Sequence, residues 1–379
     1  MTDQNVLKET QPKKKSKISL MILALLLILF GSLLVSYIRE QKQVKIATQL
    51  ALAQQLINQG KFSDAVLTLN EVITASPNNL EAYRLRSTAY GNSRSNNYVE
   101  QQAYFVNSLH DLDKMIELEP GNGNHYVNRN LILRALANMA PDSASEFAIY
   151  ELANDNAEKA IELGVSADYS YVYRHHARNL IESNHCEEGL KETQNLISQT
   201  TPADPNMNNY SIYLTEAYIC LGDFEKALEA AGQIQCNNAT TSCRSMFLVE
   251  IYFQSGETDK ALELLNQLIE LEPAYGGWRY FIRALIYQEQ GQRELALQDL
   301  ETGDNYTWYS NGVYWYVKAK MAFEAGDTAT GISDLQRAES TLNIQYNPLR
   351  TRILKELESY GVQPLGVAPS IPLAVTPIP

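Results

Sequence analysis

From Ile18 to Ile38 the chain runs 21 residues without a charge, Ile22 to Phe30 being entirely apolar. A helix of that run is about 31 Å long, close to the roughly 30 Å hydrocarbon core of a bilayer. The pattern predicts one transmembrane anchor helix over 18–38. A cleaved signal peptide is the competing reading, but the run exceeds a usual signal core and Gly31 to Ser36 offers no Ala-x-Ala site. Beyond it the apolar positions shorten into stretches of helical period. Between Arg244 and Phe253, Leu248, Val249, Tyr252 and Phe253 share one helix face; Gly256 interrupts; Ala261, Leu262, Leu265, Leu268 and Ile269 resume before Pro273. That spells helix, turn, helix.

The unit recurs. Gly222, Gly256, Gly291 and Gly326 stand 34, 35 and 35 residues apart, each followed five positions on by a small residue, Ala227, Ala261, Ala296 and Gly331. Glycine suits the interruption because a chain leaving a helix often needs a left-handed residue. The aspartates of Gly222-Asp223 and Gly326-Asp327 are placed to cap the following helix. The small residue marks where paired helices cross closely. A period this long defines a repeat array, whose units bury their apolar faces only against neighbours. The expected architecture is all-α: a basic segment at 1–17, the anchor at 18–38, a solenoid of about eight helix pairs at 44–346, a closing helix at 347–360 and a tail at 361–379. The tail has no charge and five prolines, so it is expected to be extended or disordered.

The best unit, Ser245, Leu248, Val249, Tyr252, Ala261, Leu265 and Pro273, resembles the tetratricopeptide repeat. Tyr280, Ala284, Tyr287, Ala296 and Leu300, then Trp315, Ala319, Ala322, Gly331 and Leu335, continue the resemblance, and Leu52, Ala53, Leu56, Gly60, Phe62, Ala65, Leu69 and Pro77 form the first unit. The register loosens around Asn92 to Glu100 and Pro141 to Ser145, while Tyr173, Ala177, Leu180 and Asn184 mark another unit. The resemblance implies a right-handed α-solenoid and a protein-binding role.

Charge narrows the partners. The segment before the apolar run holds Lys8, Lys13, Lys14, Lys15 and Lys17, and Arg39, Lys42 and Lys45 follow it, a bias favouring a cytoplasmic N-terminus and an extracytoplasmic array. Positions 18–379 hold 26 basic against 42 acidic residues, which argues against nucleic acid as a partner. All four cysteines, Cys186, Cys220, Cys236 and Cys243, lie in the part expected outside, where disulfides persist. Cys236 with Cys243 is the pairing that would brace a joint between units, leaving Cys186 with Cys220. His175, His176, His185 and Cys186 crowd together, but adjacent histidines on a helix diverge by about 100°, so no metal is expected. No nucleophile elbow, phosphate loop or HExxH motif occurs, and neither cofactor nor catalysis is expected. Asn209, Asn238 and Asn305 begin N-x-Ser/Thr triplets, relevant only in a host that glycosylates exported proteins.

In the family the chain resembles, the first helix of each pair lines a concave groove. The corresponding positions, 13, 10 and 6 residues before the turn, are Cys243, Met246 and Glu250, then Trp278, Phe281 and Leu285, then Val313, Tyr316 and Lys320. Around Asn184 they become Tyr171, Arg174 and Arg178, a basic rung able to hold a carboxylate; the next unit supplies Asn209, Ile212 and Glu216. The family's lysine and asparagine clamp for a C-terminal carboxylate is not reproduced. The expectation is therefore an anchored scaffold whose apolar groove binds a peptide segment of an envelope protein. A self-associating array, or a binder of glycans or small apolar ligands, is the rival reading; the residues name neither the partner nor the oligomeric state.

Overall fold

The computed structural model describes residues 15–140, 143–165, 171–201, 203–236, 242–274, 276–306, 311–342 and 347–364. The basic segment before 15, the loop at 237–241 with Asn238, and the tail from 365 lie outside the described residues. Within them the chain forms seventeen α-helices and no strand. It divides into two units, 1–92 and 93–379, meeting at the stretch where the repeat register was expected to lengthen.

The first unit holds α1 (Lys15–Asn58), α2 (Phe62–Ala75) and α3 (Leu80–Asn92). Helix α1 runs 44 residues, about 66 Å, without a break. Its apolar half is exposed, with Met21 and Phe30 each 67% accessible, and it is long and apolar enough to cross a membrane. Its second half enters the first hairpin: Ile46 and Ala53 bury against Leu69 and Val72 of α2 and Ala82 and Leu85 of α3. No glycine or proline separates the two halves, so nothing in the backbone chemistry ends the helix between them.

The second unit is a stack of hairpins: α4 (Tyr98–Leu118), α5 (Gly123–Ala137), α6 (Ser143–Glu162), α7 (Tyr171–Glu182), α8 (Cys186–Ser198), α9 (Met207–Leu221), α10 (Phe224–Gly232), α11 (Ser242–Gln254), α12 (Thr258–Leu271), α13 (Trp278–Glu289), α14 (Arg293–Asp304), α15 (Gly312–Glu324), α16 (Thr328–Thr341) and α17 (Asn347–Ser359). The expected turn devices are present. Gly222, Gly256, Gly291 and Gly326 all take φ between +73° and +81°, and Asn184 takes the same left-handed turn at φ 65°. Asp223 and Asp327 cap α10 and α16 by accepting from the amides of Lys226 and Thr330. Ala227, Ala261 and Ala296 are fully buried at the helix crossings. At Gly331 an added Cβ would meet the Phe323 ring at 2.4 Å, so this crossing takes glycine where the others take alanine. A tyrosine near the start of the next first helix ties successive pairs: Tyr280 donates to the Pro273 carbonyl at 2.9 Å, and Tyr126 reaches that of Pro120 at 3.4 Å.

A disulfide joins Cys186 at the head of α8 to Cys220 at the end of α9, with Cα atoms 6.2 Å apart. Cys236 is also disulfide-bonded, while the Cys243 side chain lies outside the described residues. The Cys186–Cys220 bridge closes 34 residues, a loop that chain-entropy arguments value at about 4 kcal/mol. Cys186→Ser paired with Cys220→Ser is expected to lower the unfolding free energy by roughly 2–4 kcal/mol, read by hydrogen exchange as lost protection across α7 to α9.

Candidate functional site

The expected groove positions separate into a sealed set and a half-open set. In the last pairs Phe281, Leu285 and Tyr316 are 1%, 0% and 0% exposed. They belong to the largest apolar core, so at these positions of the expected groove the side chains pack inside the protein. Packing is the reason. Phe281 stands edge-on to Tyr314 with ring centroids 5.5 Å apart, and its ring fills the space that a side chain at Gly303 would need.

Helix α17 completes the seal. Leu349, Ile353 and Leu357, at the i, i+4, i+8 spacing of one face, are buried in the same core. Polar contacts fix its direction: Glu356 accepts from the Tyr316 hydroxyl at 2.7 Å and from Lys320 Nζ at 3.1 Å, and Arg352 pairs with Glu289 of α13 at 2.6 Å. Two of the residues expected to greet a ligand, Tyr316 and Lys320, thus hold the protein's own last helix. Arg350 pairs with Glu339 at 2.6 Å and lies 4.8 Å over the Phe147 ring of α6. The contact with Phe147, far away in sequence, has no signature in the repeat period.

The middle of the second unit is different. Tyr171, Arg174, Arg178, Ile212 and Glu216 are half-buried, Met246 is 37% exposed, and Trp278 keeps part of its surface. Here α7 and α9 carry a charged rung. Arg178 pairs with Glu182 one turn on at 3.1 Å and with Glu216 of α9 at 3.7 Å. Burial works against the charge of Arg178, but the carboxylates of Glu216 and Glu182 outweigh it and raise its pKa. Arg174 donates to the Asn206 side chain at 2.6 Å. Arg134 of α5 donates to Asn179 and lies 5.7 Å over the Tyr150 ring; burial lowers its pKa.

Burial weighs on the carboxylates of this stretch. Burial pushes Glu146 up to about 8, with Glu182 adding to the rise, and burial raises Glu216 despite Arg178 beside it. His175 moves the other way, down to about 4, through burial and then the charges of Arg134, Arg174 and Arg178. Among the described residues, the buried polar atoms here that lack a hydrogen bond include Arg174 Nε, His175 Nδ1, Asn179 Nδ2 and Glu216 Oε2. One unit on, Glu250 is 7% exposed with Gln254 of the same helix donating to it at 2.7 Å, and burial lifts it to about 8. The basic rung read from sequence is therefore an ion-paired rung. Sequence spacing located Arg174, Arg178 and Glu216; it missed Arg134, Glu146 and Glu182, whose only signal is a charged residue within an apolar helical stretch.

The histidines disperse. His185 pairs with Glu151 at 3.3 Å, His176 approaches Glu158 at 3.7 Å, and the Cys186 sulfur is bonded to Cys220.

The tetratricopeptide repeat family matches residues 246–275. Among solved structures, a tetratricopeptide repeat protein from Parabacteroides merdae is 17% identical, over 73% of this chain and 97% of that one, with a TM-score of 0.52. Yeast Tom70 is 10% identical over 83% of both chains, with a TM-score of 0.46. No curated protein sequence matches the chain. At such identities the likeness is one of fold.

Proposed function

Because the chain carries a tetratricopeptide repeat within an all-α solenoid, we propose that it is a membrane-anchored scaffold that holds an extended segment of a partner protein across α7, α9 and α11. Solenoids of this kind generally serve protein–protein interaction without catalysis of their own. The supporting observation is that the groove positions Tyr171, Arg174, Arg178, Ile212 and Met246 of α7, α9 and α11 keep accessible surface, whereas Phe281, Leu285 and Tyr316 are sealed. An extended peptide backbone offers a carbonyl and an N–H at every residue to the polar side chains of such a rung. Tyr171, Met246 and Trp278, on α7, α11 and α13, keep apolar surface accessible for the peptide's side chains. The sealed positions Phe281, Leu285 and Tyr316 take no part.

Direction across the membrane follows from charge and sulfur chemistry. The lysines before the apolar run favour a cytoplasmic N-terminus, and the Cys186–Cys220 bond fits an oxidising compartment on the far side. The partner is accordingly an envelope protein or one passing through that space.

The test is a photoreactive residue at Met246 in the full-length protein in native membranes. A discrete protein adduct is expected, reduced severalfold by Arg174→Ala and unchanged by Leu297→Ser on exposed surface of α14. Adducts consisting only of lipid overturn the reading, and adducts consisting only of the protein itself support a self-associating array in its place.

A further inference from the structure

The anchor and the first solenoid helix are one helix, and that fixes the height of the first hairpin above the bilayer. This inference rests on the membrane reading of α1. Gly60 ends α1, and α2 folds back along it: Gln49 donates to Glu71 at 2.6 Å, each of the pair standing eleven residues from Gly60. The same antiparallel register places the α2–α3 turn, Ser76 to Asn79, level with residues 44 to 41 of α1. Counting from Ile38, the last residue of the uncharged run, that level is three to six residues further on, about 5–9 Å above the hydrocarbon edge. A headgroup layer is about 5–8 Å deep on each face, so the turn and the bilayer surface occupy the same height.

The side chains at that height suit the surface. Arg39, Lys42 and Lys45 are exposed, with Glu40 the one acidic residue between 39 and 45, in an otherwise acidic protein. Basic groups at a membrane surface are drawn to anionic lipid, each by about 1 kcal/mol. A flexible stalk would dissipate this register, but residues 39–45 continue the helix with neither glycine nor proline.

We infer that the first hairpin stands directly on the lipid headgroups of the bilayer that α1 crosses, with Ser76 to Asn79 and the Arg39, Lys42 and Lys45 side chains in contact with phospholipid phosphate. The membrane is then a second binding partner, and α1 is a rigid strut that sets the hairpin's height.

The experiment uses the full-length protein, disulfides intact, in vesicles of phosphatidylethanolamine and phosphatidylglycerol, with a fluorophore at Asn78→Cys or at Lys61→Cys on the opposite end of the hairpin. Quenching by a headgroup-attached spin label is expected to be severalfold stronger at position 78 than at 61. A glycine-serine insertion after Gln43 is expected to remove that difference while vesicle retention persists. Equal quenching at the two positions in the uninterrupted protein overturns the inference and leaves the anchor intact. Extraction of the protein from the vesicles by carbonate overturns both.

Discussion

Ile353→Ala and Leu357→Ala are each expected to lower the stability of the C-terminal hairpins by about 2–5 kcal/mol. Both side chains are fully buried, and both belong to α17, which closes the last exposed face of the stack. In a solenoid each pair is stabilised by its neighbours, so the terminal element acts on more than its own residues. Removing its apolar face exposes Tyr316, Val317 and Leu335 along α15 and α16, which are now 0% accessible. The loss should begin at that end and leave the middle of the second unit folded. All three tryptophans, Trp278, Trp308 and Trp315, lie in this last stretch of chain. Tryptophan fluorescence in urea therefore reports the loss directly, while far-ultraviolet circular dichroism at the same urea concentration should stay largely helical. Because the two residues are one turn apart and share neighbours, the double variant should fall short of the sum. Coincident loss of fluorescence and total helicity would show instead that the whole stack melts as one cooperative body.

The repeat period carried most of this fold in plain view. Glycines at the turns, small residues at the crossings and a closing apolar helix are demands of local geometry, and each leaves a residue type at a fixed offset. The seal over the groove was not legible, because the same offset serves two purposes. Phe281 and Tyr316 stand where a ligand-facing aromatic would stand, yet one fills the gap at Gly303 and the other donates to Glu356. Only the position of α17 separates these readings, and no period specifies how the last helix meets α13 and α15. The charged rung was half legible for a similar reason. Arg178 and Glu216 lie at the family's groove offsets, whereas Glu182 reaches the rung from another position and, with Glu216, offsets its expected basic character.

Glu250→Gln is expected to remove a pH dependence that the native protein shows between about pH 4.5 and 8. Glu250 is 7% exposed, and among the described residues no cation offsets its burial. Its pKa of about 8 in the fold stands above the ordinary 4.5, so the folded state holds a proton that the unfolded chain gives up. The stability tied to that proton is complete below about pH 4.5 and falls as pH rises through 8. Glu146, lifted to about 8 by burial and Glu182, works in the same direction. His175 works oppositely and in a lower window: its pKa of about 4 lies below the ordinary 6.5, so its contribution is lost as pH falls from 6.5 towards 4. As pH rises from 6.5 towards 8 the contribution of His175 levels off while that of the buried carboxyls continues to fall. There Glu250 by itself accounts for a decline of about 1.5 kcal/mol, and its full cost relative to the protonated form reaches at most about 4 kcal/mol at pH 8. Glutamine copies the shape of the neutral carboxyl and can still accept from Gln254, so at pH 5 the variant should match the native protein. By pH 8 it should be the more stable, with the slope of unfolding free energy against pH visibly reduced in urea titrations. Parallel slopes for the two proteins would mean that the carboxyl ionises in the fold at its ordinary pH, through solvent or a partner group reaching it from the half-open rung.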